Sequence, residues 1–281
     1  METLHLIVDL EKCIGCFNCL MACKDEHVGN SWLPYTDEQQ RHDEKWINPE
    51  KHENGAVPYT EVCYVTKMCQ HCGNAACEKA QPEAVERRPD GIVLLDAKKA
   101  KGNRALVDSC PYGMIDWNEE LETAQKCTMC AHLIDTGWRE PRCVQACPLR
   151  ALTSVWCTDE EFQEMAQRQY LEPLYSWASK PRVLYKNLYK YNCLFLAGSL
   201  SYLEGDVEKA AAGAKVRLSL NGELLKEVES NFLGEFKFHR IPPESGTFQL
   251  EISLEGFRPR TVDVPVGKQS VCLENLVLER G

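Results

Sequence analysis

The sequence predicts an α+β protein, with cysteine-rich loop units first and a β-rich part last. Three observations support this fold class. Twelve of the sixteen cysteines fall into spaced runs that end at Cys147. Leu4, Leu6 and Val8 alternate with other residues, which is typical of a half-buried strand. From about residue 196 the pattern is two-fold, which favours a series of short strands.

The cysteine runs have the spacing of iron–sulfur ligands. They are Cys13-x2-Cys16-x2-Cys19-x3-Cys23, Cys69-x2-Cys72-x4-Cys77, the single Cys110 before Pro111, and Cys127-x2-Cys130-x12-Cys143-x3-Cys147 before Pro148. In two-cluster ferredoxins, the first three cysteines of a run bind one [4Fe-4S] cluster and the fourth binds the partner cluster. This crossing rule allows each run to be assigned.

The rule predicts three [4Fe-4S] clusters, each with four cysteine ligands. The first set is Cys13, Cys16, Cys19 and Cys147; the second set is Cys127, Cys130, Cys143 and Cys23; the third set is Cys69, Cys72, Cys77 and Cys110. No residue is predicted to act as an acid, a base or a nucleophile. The chemistry expected of this chain is therefore one-electron transfer.

A fourth cluster site is missing as a unit. Its four ligand places, found by counting at ferredoxin spacing, hold Gln81, Ala100, Asn103 and Leu106. Cys110 belongs to the same run as three of these places, but under the crossing rule it serves the third set. Random loss of cysteines would not remove one whole set and keep that residue. The pattern therefore predicts three clusters and one erased site.

Two other uses of cysteine fit the pattern less well. A disulfide scaffold is typical of small secreted proteins, whereas the opening METLHLIVDLEKC lacks a signal-peptide pattern. Structural zinc also uses C-x2-C pairs, but a tetrahedral zinc site has no use for the third cysteine of the first run. The remaining cysteines are expected to be buried free thiols without a ligand role. They are Cys63, Cys157, Cys193 and Cys272.

Composition limits the possible partners. The net charge is −10, and bound clusters would make the protein more acidic still. Nucleic acid is not expected as a partner, because phosphate binding needs a basic face. The longest apolar stretch, near Cys193 to Leu203, is interrupted by Gly198 and Ser199. Because a spanning helix needs about 20 apolar residues, no membrane anchor is expected in this chain.

Four segments are predicted along the chain. Residues 1–61 and 118–157 form a first ferredoxin-like unit with two clusters, 62–117 an inserted second ferredoxin-like unit with one cluster, 158–195 a helical and aromatic linker, and 196–281 an antiparallel β-sandwich. Residues 31–60 are polar and lack a clear period, so they are either an ordered excursion or a solvated insertion. A Pro-Asp-Gly turn precedes a strand at Ile92–Leu95, and Asn221-Gly222 is expected to be a hairpin turn.

Lysines and histidines lie close to several of the predicted ligands. Lys12, Lys24 and Lys126 are each adjacent to a ligand cysteine. They either raise the local reduction potential or are ordinary surface lysines. His71 and His132 are also close to ligands, but cysteine already fills every cluster position. Both histidines are therefore expected to be packing or surface residues.

The runs resemble those of a known family. Four ferredoxin-type runs, the last with a twelve-residue spacer, resemble the electron-transfer subunits of the dimethyl sulfoxide reductase family over residues 1 to about 157. The missing site and the segments QKCTMCAHL, KPRVLYKNLYKYN and NFLGEFKF look most like the small subunits of transhydroxylases of the pyrogallol–phloroglucinol type. The last part also resembles a carboxypeptidase-regulatory-like sandwich.

This resemblance implies a heterodimer, either alone or within a higher assembly. Its large molybdopterin subunit would hold a molybdenum or tungsten bis-pterin centre and act on polyhydroxylated aromatic compounds. The aromatic segment Tyr185 to Tyr191 is expected to lie at the interface, since buried aromatic side chains contribute strongly to association. The complex is expected in the cytoplasm, or else exported together with a signal-bearing large subunit.

Three alternatives remain open. The chain could be the relay subunit of a reductive dehydroxylase or of another reductase of the same family. It could also be a free-standing polyferredoxin carrier, or a zinc-stabilised adaptor protein. The β-rich part and the aromatic segment favour an obligate partner over a free carrier.

Overall fold

The computed structural model describes all 281 residues, which divide into two compact units. Unit 1 comprises Met1–Lys51 and Cys63–Leu188, and unit 2 comprises His52–Val62 and Tyr189–Gly281. The segment predicted as a linker, 158–195, is therefore divided between the units. Many short strands and a few short helices give the mixed α and β chain that the sequence predicts.

The helices and strands are short and alternate along unit 1, whereas unit 2 is almost entirely β. The helices are α1 (Asn18–His27), α2 (Ala76–Ala80), α3 (Ala97–Ala100), α4 (Ala105–Asp108), α5 (Ala131–Ile134), α6 (Arg142–Gln145), α7 (Asp159–Gln169) and α8 (Tyr189–Asn192). The strands are β1 (Thr3–Asp9), β2 (Ile47–Ala56), β3 (Tyr59–Met68), β4 (Val85–Arg87), β5 (Val93–Leu95), β6 (Asp116–Asn118), β7 (Thr123–Gln125), β8 (Leu152–Cys157), β9 (Val183–Lys186), β10 (Leu194–Glu204), β11 (Val207–Ala210), β12 (Lys215–Leu220), β13 (Glu223–Glu229), β14 (Glu235–Ile241), β15 (Gly246–Ser253), β16 (Arg260–Val266), β17 (Val271–Cys272) and β18 (Leu276–Leu278).

The largest sheet of unit 1 has the strand order β8-β1-β9. The central strand β1 pairs antiparallel with β8 and parallel with β9. The expectation of a half-buried β1 is wrong, because residues on both of its faces are buried. Leu4 and Leu6 lie in the core, and on the other face the His5 ring stacks on Phe162 of α7, with 4.0 Å between ring centroids.

Hairpins support the cysteine loops of unit 1. The turn at Pro89-Asp90-Gly91 joins β4 and β5 as predicted, and Asp90 Oδ1 accepts a hydrogen bond from the Ile92 amide. The hairpin of β2 and β3 was not predicted, because residues 47–56 are mostly polar and do not alternate. Its base ends at Met68, directly before Cys69.

Helix α7 has a strong start signal and a defined end. The Thr158 hydroxyl accepts a hydrogen bond from the Glu161 amide, and the Glu161 carboxylate accepts one from the Thr158 amide. This capping box satisfies two amides that otherwise lack helical partners. The helix ends at Tyr170, which is left-handed with φ 54°.

Two sheets of unit 2 share one hydrophobic core. One has the order β13-β12-β15-β16 and is fully antiparallel. Asn221 and Gly222 have φ values of 54° and 82° in the β12–β13 turn, which is the predicted hairpin geometry. In the other sheet β10 pairs antiparallel with β11 and β14 but parallel with β17 and β18, so the expectation of an antiparallel arrangement is wrong for these two strands.

The core of unit 2 comes from alternate residues of both sheets. Phe236 and Phe238 of β14 belong to the same buried cluster as Phe248 and Leu250 of β15. Their alternation with exposed residues accounts for the two-fold pattern that predicts these strands. None of the helices in either unit has the length and apolar character needed to cross a membrane.

Candidate metal centres

The structure brings together the four cysteines of the first set. Cys13 and Cys16 lie in the loop after β1, Cys19 lies in the first turn of α1, and Cys147 follows α6. All four line one cavity. The Thr66 hydroxyl of β3 lies 4.0 Å from Cys13 Sγ, a neighbour that the sequence analysis did not anticipate.

The cysteines of the second set line another cavity. Cys127 and Cys130 come from the loop between β7 and α5, Cys143 comes from α6, and Cys23 comes from the second half of α1. The other side chains around this cavity are mostly apolar. Both the second and the first set therefore combine residues from the two ends of unit 1.

Helices α1 and α6 explain how the two sets exchange members. Cys19 and Cys23 are four residues apart on α1, which places them on one face about one helical turn apart. Cys143 in α6 and Cys147 just after it have the same separation. Because α1 packs against α6, each helix offers one cysteine to each set. This arrangement is the crossing that the spacing rule predicts.

The third set lines the most spacious of the three cavities, about 230 Å³. Cys69 and Cys72 follow β3, Cys77 lies on α2, and Cys110 comes from the turn after α4, 33 residues farther along the chain than Cys77. The cavities of the first and second sets are narrower, about 30 and 10 Å³.

The residues at the missing fourth site also lie together, but they do not form a ligand set. Asn103 Nδ2 donates a hydrogen bond to Gln81 Oε1 at 3.3 Å. Ala100 and Leu106 are only 1% and 0% exposed and belong to one hydrophobic cluster. Ile115 is part of the same cluster. A hydrogen-bonded amide pair and a packed core thus occupy the four places.

The backbone of the cysteine loops adopts left-handed conformations at several positions. Gly15 has φ 67°, and a Cβ there would lie 2.3 Å from the Tyr64 ring, so this position requires glycine. Phe17, His71 and Cys130 have φ values of 61°, 42° and 53°. Such conformations cost energy in residues other than glycine, and they cluster at functional loops.

Each set has at least one sulfur that accepts a backbone hydrogen bond. The Leu152 amide donates to Cys147 Sγ at 3.4 Å, the Met129 amide to Cys127 Sγ at 3.4 Å, and the Met114 amide to Cys110 Sγ at 3.5 Å. Hydrogen bonds to a ligand sulfur stabilise its negative charge and shift the potential of a cluster. All three sets therefore have the donor arrangement that suits thiolate ligands.

Burial disfavours the charged form of the cysteines. It raises the pKa of Cys19 and Cys130 to about 12, and that of Cys127 to about 11. After burial, the Cys69 thiol of the third set is the next cause that raises the pKa of Cys127. Four buried thiolates need a cationic group at their centre, and the iron of a [4Fe-4S] core has that character. The donor sets therefore fit the cofactor that the spacing predicts.

The other four cysteines lie outside these cavities. Cys63 and Cys157 are buried, Cys193 and Cys272 are half-buried, and none of them lines a cavity of the three sets. No group of three or more His, Cys, Asp and Glu side chains in the structure is arranged to hold a single metal ion.

The two histidines have structural partners. His71 Nδ1 accepts a hydrogen bond from the Val93 amide at 3.1 Å, and burial lowers the pKa of this imidazole well below its usual value. His132 Nε2 lies 3.0 Å from Glu26 Oε1. The His132 ring stacks on Trp32, with 4.2 Å between centroids.

The aromatic segment is only partly available for a partner. Tyr185 is fully buried, and its hydroxyl donates to the Thr66 carbonyl at 2.8 Å, so the expectation that it lies at an interface is wrong. Tyr189 and Tyr191 are half-buried. The guanidinium of Arg240 lies 4.3 Å from the centre of the Tyr189 ring.

Comparison with known proteins agrees with this geometry. Residues 60–155 match the family model of a 4Fe-4S dicluster domain. The chain is 40% identical over 260 residues to the pyrogallol hydroxytransferase small subunit of Pelobacter acidigallici, which covers 91% of this chain and 92% of that protein. It is 32% identical over 174 residues to a putative iron–sulfur subunit of dimethyl sulfoxide reductase from Halobacterium salinarum, which covers 54% and 65%.

A third relative is a subunit of sulfite dehydrogenase from Allochromatium vinosum, 29% identical over 195 residues that cover 64% of this chain and 81% of that protein. The match to the Pelobacter subunit extends over nearly the whole of both chains. The resemblance predicted from the cysteine runs is therefore confirmed. This chain belongs to the family of the pyrogallol hydroxytransferase small subunit, within the wider group of iron–sulfur subunits of the dimethyl sulfoxide reductase type.

Proposed function

We propose that this chain is the electron-transfer subunit of a two-subunit oxidoreductase and holds three [4Fe-4S] clusters. The observation that supports this most strongly is the grouping of twelve cysteines around three cavities, in the sets required by ligand crossing. Bound there, the clusters supply one-electron transfer. The residues of the chain bind them, separate them from water and set their potentials.

The three sets form a line. Helix α1 carries Cys19 of the first set and Cys23 of the second, so these two sets are neighbours. Lys126 lines the cavity of the third set and immediately precedes Cys127 of the second, so these two sets are neighbours as well. Electrons therefore pass in the order first, second, third set, or in reverse.

The first set is the end of the line that faces the large subunit. Ile14, Met21 and Leu149 are 62%, 63% and 46% exposed around this site. Phe17 is 38% exposed and lines the cavity itself. An exposed apolar group beside a redox site is suited to a partner surface. This placement brings the first cluster next to the redox centre of the partner.

The third set is the other end of the line. The Gln81–Asn103 pair and the core around Leu106 occupy the fourth site, so no further centre follows within this chain. Tyr112, just after Cys110, stacks on Tyr175 with 4.2 Å between ring centroids. Electrons that enter at the first set are therefore returned to the large subunit rather than passed onward.

The partner is a large subunit with a molybdenum or tungsten bis-pterin centre that acts on polyhydroxylated aromatics. The name of the Pelobacter relative, which refers to pyrogallol, supports this substrate class over that of a reductase. The matches to dimethyl sulfoxide reductase and tetrathionate reductase subunits cover only about half of this chain. A relay for a reductive dehydroxylase is the second candidate.

The finer division into domains is also part of the proposal. Two interleaved ferredoxin-like units, 1–61 with 118–157 and 62–117, hold the three clusters, and the β-rich part from 196 serves as a docking module. We place the complex in the cytoplasm, where thiols stay reduced. No disulfide bond joins any of the sixteen cysteines in the structure. Cell fractionation distinguishes this location from export with a signal-bearing large subunit.

The experiment is anaerobic purification of the tagged chain from its own cells, followed by mass spectrometry of the large chain that accompanies it. The complex should convert pyrogallol, and the isolated chain should not. Steady consumption of an external reductant by the complex would favour the reductive candidate. Turnover of a phenolic substrate by the isolated chain would contradict the relay function. The control is a complex that carries Cys157→Ser, because this substitution removes a cysteine that lies outside the three sets.

A further inference from the structure

Lys126 lies between two of the ligand sets. It lines the cavity of the third set, and it immediately precedes Cys127 of the second. Its side chain is buried, with only 3% of the residue exposed. Of the two roles that the sequence leaves open, that of a surface lysine is therefore excluded for this residue.

The amino group of Lys126 has only backbone oxygens as hydrogen-bond acceptors. Its Nζ donates to the carbonyl oxygens of Val93 and of Cys127, the latter at 3.1 Å. Both acceptors belong to the backbone, so no carboxylate balances the positive charge. A buried charge without a counter-ion is costly, and a negatively charged neighbour offsets that cost.

The other polar groups around the third cavity do not provide an equivalent charge. His71 accepts the Val93 N–H at Nδ1, so that nitrogen carries no proton and the imidazole is neutral. Lys79 also lines the cavity but is exposed, so water screens its charge. Of the two lysines that line this cavity, Lys126 is thus the buried one.

We propose that the buried amino group of Lys126 raises the reduction potential of the third-set cluster and, less strongly, that of the second-set cluster. This inference rests on the proposed function. When one cluster is reduced, it gains one electron from the neighbouring cluster. That neighbour is oxidised by one electron, and no proton is exchanged. The reduced cluster carries one more negative charge than the oxidised cluster. A nearby cation stabilises this charge when no water lies between the two groups. The positive charge of Lys126 therefore favours the state in which the electron is on the third-set cluster.

The test is an EPR-monitored redox titration of the holo-complex with three variants. Lys126→Gln removes the charge and keeps a hydrogen-bond donor, Lys126→Arg keeps the charge, and Lys79→Gln removes the exposed charge at the same cavity. The Cys110→Ser variant, which should lack the signal of the third set, identifies that signal. Iron content is measured in every sample.

In Lys126→Gln, the equilibrium constant for reduction of the third-set cluster should fall at least tenfold, which is 59 mV for a one-electron couple. The first-set cluster should not change, and Lys126→Arg and Lys79→Gln should stay within about threefold of the original protein. Unchanged potentials in Lys126→Gln, or an equal shift in Lys79→Gln, would overturn the proposal.

Loss of iron is also decisive. If Lys126→Gln loses the third-set cluster and Lys126→Arg keeps it, the second-set potential decides. It should be lower in Lys126→Gln than in Cys110→Ser, which lacks the third-set cluster as well, and equal potentials would overturn the proposal. If both variants lose it, Lys126 has a packing role only and the proposal fails. Failure of the proposed function has a different signature, because the unchanged protein would then lack three one-electron cluster signals.

Discussion

Replacement of Leu106 by alanine tests whether the missing fourth site has become core. Leu106 is 0% exposed and packs in the cluster that contains Val93, Leu95 and Ile115. It also stands at one of the four places where a fourth cluster would require a cysteine. Leu106→Ala leaves a cavity among apolar side chains and removes no cysteine ligand, although Cys77 and Cys110 of the third set pack against the same cluster.

The expected cost follows from the burial of this side chain. Replacement of a fully buried leucine by alanine lowers the free energy of unfolding by about 2–5 kcal/mol, and about 3 kcal/mol is expected here. In a unit of this size each kcal/mol lowers the unfolding temperature by roughly 2–4 °C, so a decrease of about 6–12 °C is expected. The assay is an anaerobic thermal scan that follows the visible absorbance of the clusters and the release of iron.

Iron content should stay at the level of the original protein in the Leu106→Ala variant at room temperature. Leu203→Ala is the control, because it removes the same atoms from a side chain that is 55% exposed, and it should change the unfolding temperature little. An unfolding temperature that does not change in Leu106→Ala would refute the packed-core explanation. Loss of iron at room temperature would show instead that the core around Leu106 also supports the third set, whose Cys77 and Cys110 pack against it.

Two further substitutions test the ligand sets and the partner surface. Cys110→Ser should lower the iron content from about twelve to about eight per chain, because Cys110 lines the cavity of Cys69, Cys72 and Cys77. The control variant Cys157→Ser should keep all the iron. Equal losses of iron in both variants would contradict the assignment of Cys110. Met21→Asp, at a side chain that is 63% exposed, should weaken the heterodimer at least tenfold without loss of iron, since an unpaired carboxylate at an interface costs more than about 1.4 kcal/mol. Affinity measured by titration against the large subunit checks this, and an unchanged affinity would place the interface elsewhere.

The grouping of the cysteines could be predicted because the spacing of ligands within a run indicates which distant cysteines share a cluster. A separation of four residues on α1 places Cys19 and Cys23 on one face about one turn apart, so each can join a different set where α6 packs alongside. The same reasoning anticipated that Cys110 lies with Cys77. These positions follow from cluster geometry, which tolerates little variation.

Side-chain burial and strand pairing were harder to predict. The second buried face of β1 depends on α7, which is more than 150 residues away, and no local signal at His5 reveals the Phe162 ring. The polar strand β2 forms through backbone pairing with β3 and lacks the alternation that marks half-buried strands. Tyr185 has an aromatic neighbourhood in sequence that suggests a surface patch, yet it is in the core.

Lys126 shows the same limit at the candidate site. Adjacency to Cys127 is visible in the sequence, but the same is true of Lys12, which is exposed, and of Lys24, which is half-buried. Only the packing of β5 against the loop brings the Val93 carbonyl to the ammonium group and removes Lys126 from water. The sequence alone therefore could not decide whether Lys126 acts on the neighbouring cluster sites or is an ordinary surface lysine.

The iron and acid-labile sulfide content of the anaerobically purified chain tests the central claim most directly. Twelve ligand cysteines in three sets give about twelve iron and twelve sulfide per chain. Sixteen of each would contradict the account, because the places of Gln81, Ala100, Asn103 and Leu106 would then belong to a working fourth site. Zinc in place of iron, near one or more per chain, would contradict it as well and would favour a structural adaptor.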